Sequence, residues 1–236
     1  MESQRGSIGS SCALLERISL RVCCDQLFQT CVKLSKSKDI FKREKVGKRG
    51  HKTLNRRSAA FGDPGAKYNY SGASHSALPW PEWLLPIKKR LEDLAEHTFE
   101  LALITEFQGG SKLGLHQDNE AEIAPESMIP AISLGDGRKV QFANLNKKVL
   151  KEILVEHGSL YVMEKDSQKI IYHGIPEKTH GKLRFSITFR HLDLELPPSV
   201  LGKRKTKPTH TSRSTDKKGK NVLRESAGLS ESGPAQ

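Results

Sequence analysis

No run of about 20 apolar residues, the length that spans a bilayer, occurs in the 236 positions, so a helical membrane span is not expected. A secretory leader is not expected either, because Glu16, Arg17, Arg21 and Asp25 interrupt any apolar stretch near the N-terminus. Cysteine is scarce. Cys12, Cys23, Cys24 and Cys31 are the only four, all within the first 31 residues, and their spacing matches no zinc pattern and implies no disulfide framework. The expected compartment is therefore a reducing one, cytoplasm or nucleus. No internal repeat is visible, which sets repeat architectures aside.

What is abundant is positive charge, and it is unevenly spread. The formal net charge is +12. Residues 1–60 hold 14 Lys/Arg against 5 Asp/Glu, and 197–236 hold 9 against 3, whereas 61–196 hold 16 against 19. The basic ends favour polyanions through counterion release, without sequence specificity. The length suits one domain with tails. We expect an accessory basic segment at 1–57, partly disordered, a globular domain at 58–196, and a disordered basic tail at 197–236. The tail's Lys, Ser, Thr, Gly and Pro cannot bury enough apolar surface to offset their ordering entropy. Within the first segment, 13–34 reads as one amphipathic helix and 36–57 as a polar linker. The basic run from Lys42 to Arg49 suits nuclear import or phosphate contact.

The middle of the chain reads as α+β. Leu84, Ile87, Leu91, Leu94 and Ala95 share one helical face, and Pro86 suits a first turn, so a helix is expected from about 84 to 97. Strands are expected at 99–107, 113–117, 129–134, 139–143, 159–163, 169–173 and 184–190. Many short strands after a helix point to a two-sheet jelly roll, a double-stranded β-helix with a helix packed on it.

Three features fit one metal site. In His116-Gln117-Asp118 the two candidate ligands sit at i and i+2, which on an extended strand face the same way. His173 follows 57 positions later, before Gly174-Ile175-Pro176. Two imidazoles and a carboxylate on one face of Fe(II) leave positions open for a bidentate co-substrate and O2. Arg184 and Arg190 bracket Phe185-Ser186-Ile187-Thr188-Phe189, so both guanidiniums share a face with Ser186 and Thr188. Guanidiniums buried in a barrel need anions, and the two carboxylates of 2-oxoglutarate would serve.

The segment from Lys112 to Glu120 resembles the metal-binding strand of the AlkB family. Glu156–Met163, Tyr172–Pro176 and Arg184–Arg190 resemble its later motifs, in the same order. Upstream, Arg57–Gly62, Tyr68–Gly72 and Trp80–Trp83 resemble its substrate-covering part, in a pattern particularly similar to the AlkB domains of plant RNA-virus replication proteins. The resemblance covers about 57–192. It implies an Fe(II)- and 2-oxoglutarate-dependent dioxygenase that uses O2 to demethylate N-alkylated bases in RNA or single-stranded DNA. It further implies that His116, Asp118 and His173 hold the iron, that Arg184 takes the far carboxylate of 2-oxoglutarate, and that Arg190 lies nearer the metal. Glu120 would contact the flipped base, and Phe61, with Tyr68 and Tyr70, would stack on it.

The chain departs from the bacterial members of that family at Thr105, Phe107 and Ser186, where they carry Asn, Tyr and Asn, and at Phe61, where they carry Trp. Losing the Tyr hydroxyl at 107 removes one hydrogen bond to the co-substrate, about 0.5–1.5 kcal/mol, which predicts weaker 2-oxoglutarate binding. Trp80, Trp83 and Met163 read as packing residues. The competing readings are an oxygenase of protein side chains and a catalytically idle nucleic-acid-binding module.

Overall fold

The computed structural model describes residues 14–17, 21–46, 52–70 and 73–194. The tail expected to be disordered, and the last three residues of the basic run at Lys42–Arg49, lie outside these residues. In chain order the elements are β1 (Leu14–Arg17), α1 (Arg21–Ser35), β2 (Lys42–Val46), β3 (Lys52–Gly62), β4 (Lys67–Tyr70), β5 (Ala73–Ser76) and β6 (Leu78–Pro79). A 3-10 turn (Glu82–Leu84) then leads into α2 (Leu85–Ala95), β7 (Leu101–Phe107), β8 (Leu113–His116), β9 (Ile129–Gly135), β10 (Arg138–Ala143) and β11 (Val149–Val155). The last are β12 (Ser159–Met163), α3 (Ser167–Ile170), β13 (Tyr172–Ile175) and β14 (Arg184–Arg190). Among the described residues no helix is long and apolar enough to cross a membrane.

The major sheet runs β1-β12-β9-β14-β7-β3-β2, with β6 added beside β3, and the minor sheet runs β11-β10-β13-β8. This is the double-stranded β-helix expected from the sequence. Several local readings change. The segment 13–34 is a strand followed by a shorter helix, because β1 pairs with β12, far away in sequence. The expected linker at 36–57 contains β2 and most of β3, which pair with each other and extend the major sheet beyond β7. At 169–173, α3 occupies the first two positions and the strand begins only at Tyr172.

The alternation in β14 divides the major sheet into two unlike faces. Phe185, Ile187 and Phe189 point outward with Ala59, Phe61, Ala102, Ile104, Ile132, Leu134, Leu160 and Val162. The helices seal that face through Leu27 and Cys31 of α1 and Leu91 and Ala95 of α2. Phe185 meets the rings of Phe28 and Phe41 edge-on, at centroid distances of 5.9 and 6.0 Å. Each such aromatic, fully buried, contributes about 1.5–3 kcal/mol of transfer free energy. The opposite face looks toward the minor sheet across a second cluster that includes Phe107, Ala131, Val140, Phe142, Tyr161 and Ile175.

Cross-strand register arranges that inner face in rows. Arg56, Phe107 and Arg184 are level on β3, β7 and β14. The next row is Ser58, Thr105, Ser186, Ser133 and Ser159, and the next Ala60, Leu103, Thr188, Ala131 and Tyr161. Arg190 opens the last row. Polar groups thus collect in adjacent rows of this face.

Candidate metal and co-substrate site

His116 and His173 are direct cross-strand partners on β8 and β13, so antiparallel pairing alone places the two imidazoles side by side, ring centroids 4.2 Å apart. Gly174 permits this approach: a Cβ there would lie 2.8 Å from the Leu113 carbonyl oxygen. Asp118 follows in the loop beyond β8, where its backbone N–H donates to the Gln168 Oε1 of α3 at 2.8 Å. The potential ligand atoms of His116, Asp118 and His173 all lie within 4.8 Å of one another.

The protonation states of Asp118 and His173 suit a metal. Asp118 is held well below the usual carboxylate range: burial opposes ionisation, but Arg190 and the two histidines outweigh it. Burial, reinforced by the neighbouring His116, pushes His173 down to about 3, so its imidazole is neutral. His116 is 2.9 Å from the Gly114 carbonyl through Nδ1; with Nδ1 donating, Nε2, 3.2 Å from Asp118 Oδ1, is left as a lone-pair donor. Two imidazoles and one carboxylate form a donor set appropriate to Fe(II).

Beside the triad opens a cavity of about 570 Å³, mouth included, lined by Arg56, Ser58, Thr105, Phe107, Ser186 and Arg190 among others. Arg190 donates to Asp118 Oδ2 at 2.8 Å and lies 4.5 Å above the Tyr68 ring, while its Nε and one terminal nitrogen have no hydrogen-bond partner among the described residues. Arg184 is 0% exposed; its Nε donates to Ser133 Oγ at 3.1 Å and its guanidinium carbon lies 5.0 Å from the Phe107 ring centroid. Both terminal nitrogens of Arg184 lack partners, and burial pushes its pKa down to about 10. A buried guanidinium with four open N–H bonds costs several kcal/mol unless an anion enters. These residues therefore fit both groups that the sequence implied: iron at the triad, and a dicarboxylate reaching from Arg190 toward Arg184.

Of the residues singled out from sequence, the structure gathers His116, Asp118, His173, Arg190, Thr105, Phe107, Ser186 and Tyr68 around one cavity. Arg184 lies behind Phe107 rather than on the cavity surface. Glu120 is set back from the cavity lining, next to the Tyr68 hydroxyl; burial, and then the charge of Asp118, push its carboxyl up to about 7. Phe61 is not at the site. It is 5% exposed, within the cluster that α1 and α2 cover, because its parity on β3 is that of Ala59 and opposite to that of Ser58. The side chain of Tyr70 lies outside the described ones. Trp80 and Trp83 pack against the outer cluster, as expected, while Met163 both packs in the inner cluster and lines the cavity. Sequence reasoning missed Arg56, Ser58 and Tyr161, all of which line the cavity. For Arg56 and Ser58 the available signal was strand parity upstream of Phe61.

Comparison with known proteins agrees with this geometry. Residues 20–190 match the model of the 2OG-Fe(II) oxygenase superfamily. The DNA oxidative demethylase ALKBH2 of Homo sapiens is 30% identical over 147 residues, covering 58% of this chain and 56% of the relative. The RNA replication polyprotein of Citrus leaf blotch virus is 27% identical over 137 residues, 57% of this chain and 6% of the polyprotein. The solved structure of OsALKBH1 superposes with a TM-score of 0.52 at 19% identity, covering 76% of this chain and 97% of that one, which is a likeness of fold. The chain thus spans little more than half the length of human ALKBH2.

Proposed function

The chain belongs to the 2OG-Fe(II) oxygenase superfamily, whose cofactor is Fe(II) with 2-oxoglutarate and O2 as co-substrates, and we propose that it demethylates N-alkylated nucleobases in RNA or single-stranded DNA. The observation that carries this reading is the junction of a His-Asp-His triad with a cavity backed by two guanidiniums, four of whose buried nitrogens lack acceptors. Similarity to a DNA oxidative demethylase and to viral RNA replication proteins supports a nucleic-acid substrate. The overall reaction converts an N–CH3 group, O2 and 2-oxoglutarate into N–H, formaldehyde, succinate and CO2. Iron, when bound, supplies the oxidising chemistry that hydroxylates the methyl carbon.

The chain's own residues supply position and charge. His116, Asp118 and His173 would hold the metal through two imidazoles and one carboxylate. Arg190 faces the metal end of the co-substrate, and Arg184 its far carboxylate. Tyr68 gives an aromatic wall close to Arg190 on which a flipped base can stack, worth about 1–3 kcal/mol. Extruding the base costs a few kcal/mol in a duplex and less in a single strand, which favours single-stranded substrates. The catalytic domain proposed at 58–196 extends N-terminally to take in the whole of β3, since Arg56 lines the cavity. The compartment we propose is cytoplasm or nucleus.

The test incubates the full chain with methylated RNA and DNA oligonucleotides, Fe(II), ascorbate and 2-oxoglutarate, and follows methyl loss by mass spectrometry. Formaldehyde release from a methylated strand is expected, with none from a His116→Ala, Asp118→Ala variant. Succinate production stimulated by peptides but not by oligonucleotides would assign the chain to protein substrates instead. Tight binding of methylated strands without formaldehyde would make it a binding module.

A further inference from the structure

The far end of the cavity poses a chemical problem that the two arginines leave unsolved. Both terminal nitrogens of Arg184 lack hydrogen-bond partners among the described residues, and the Phe107 ring packed against its guanidinium offers none. The hydroxyls of Ser58, Thr105 and Ser186 stand on short side chains close to the sheet. One long donor reaches the same region from another strand. Tyr161, on β12, lines the cavity at 4% exposure. Its Cα is level with Ala131 on β9, which is level with Thr188 on β14, two positions along from Ser186. The small Ala131 side chain leaves room for the ring to lean across one row, about 7 Å along the strand. Its hydroxyl accordingly meets the Ser186 side chain, and the strongest charge acting on it is Arg184, with Asp118 next. The phenol therefore lies on the cavity wall within the influence of Arg184, with Ser186 as its protein partner.

A phenol O–H on the cavity wall and the unpartnered N–H groups of the nearby Arg184 call for an acceptor that all of them can reach, and a carboxylate has enough lone pairs. We propose that the Tyr161 hydroxyl donates to the far carboxylate of 2-oxoglutarate beside Arg184, supplying the hydrogen bond that Phe107 cannot. This assigns Tyr161 as a co-substrate-binding residue and rests on the reading of the cavity as a 2-oxoglutarate site. Ser186 holds the phenol in place from the opposite side. The ring also packs in the inner cluster with Ala131 and Met163, so the hydroxyl carries the binding role and the ring the packing.

The experiment separates these roles. The full chain, loaded anaerobically with Fe(II), is titrated with 2-oxoglutarate and, separately, with oxalate, which occupies the metal end and has no far carboxylate. Tyr161→Phe keeps the ring and deletes one hydrogen bond to a charged acceptor, so 2-oxoglutarate binding should weaken by about tenfold or more while oxalate binding stays unchanged. Adding Phe107→Tyr to that variant places a phenol on the ring already packed against Arg184, and most of the lost affinity should return. Unchanged 2-oxoglutarate binding in Tyr161→Phe overturns the proposal. So does equal weakening of both ligands, which marks a packing defect, and so does failure of Phe107→Tyr to rescue. A wild-type chain that takes up Fe(II) but binds no 2-oxoglutarate overturns the underlying reading of the cavity, and the proposal with it.

Discussion

The two faces of the major sheet are built from alternate residues of the same strands and are put to opposite uses. On β14, Phe185, Ile187 and Phe189 face a sealed apolar layer, while Ser186, Thr188 and Arg190 face the cavity and Arg184 shares their side of the strand behind Phe107. The outer face satisfies every side chain by packing. The inner face keeps buried N–H groups without acceptors, an arrangement that costs stability until a ligand arrives. The lesson is that a seven-residue strand can serve stability and chemistry at once, because period-two alternation keeps the two sets of side chains from competing for space.

That contrast can be broken from either side. The largest expected effect is on chemistry. Asp118→Ala should abolish demethylation, a loss on the order of a thousandfold or more, and should also lower the stability of the metal-free chain, because the buried Arg190 loses its carboxylate partner. Retained turnover in a steady-state assay would erase the distinction between the faces. On the outer face, Phe185→Ala should destabilise by about 3–5 kcal/mol in urea unfolding, since Phe28 and Phe41 cannot both close over the cavity left behind. Its iron affinity, measured well below the melting temperature, should stay near that of wild type.

Arg184→Met sharpens the comparison further. It removes a buried guanidinium and fills similar volume, so metal-free stability should hold or rise by about 1 kcal/mol. The affinity for 2-oxoglutarate should fall by about a hundredfold in the same variant. A fall in both would mean that the guanidinium is structural. The smallest effect concerns pH. Burial and the charge of Asp118 push the carboxyl of Glu120 from 4.5 up to about 7. The folded metal-free chain therefore keeps a proton that the unfolded chain has already lost between these values. Stability from this group is fully present below about pH 4.5 and declines as the pH rises toward 7. Glu120→Gln should flatten that slope in urea titrations at a series of pH values. An unchanged slope would place the proton elsewhere.

Much of this arrangement was legible in the sequence, and the reason is local geometry. The parity of Arg184 to Arg190 follows from strand alternation without knowledge of partners, and the i, i+2 spacing pairs His116 with Asp118 even though β8 ends at His116 and Asp118 lies in the loop beyond it. What escaped notice depended on distant pairing. β1 exists through β12, and β2 with β3 extends a sheet whose other strands come much later in the chain. β11 was overlooked because its exposed Leu150, Glu152 and Leu154 hide the alternation of an edge strand. The resemblance puts Phe61 at the base-stacking position without regard to its parity on β3, and the parity decides the matter. Tyr161 was hidden within an apolar stretch, Ser159–Met163, whose residues are all buried, so no polar alternation marked which side faces the cavity.

The most direct test of the central claim is anaerobic equilibrium dialysis of Fe(II) against the full chain, with and without 2-oxoglutarate. The account predicts one iron per chain, tighter binding when 2-oxoglutarate is present, and loss of both effects in a His116→Ala, Asp118→Ala, His173→Ala variant. Undiminished iron uptake by that variant would contradict it.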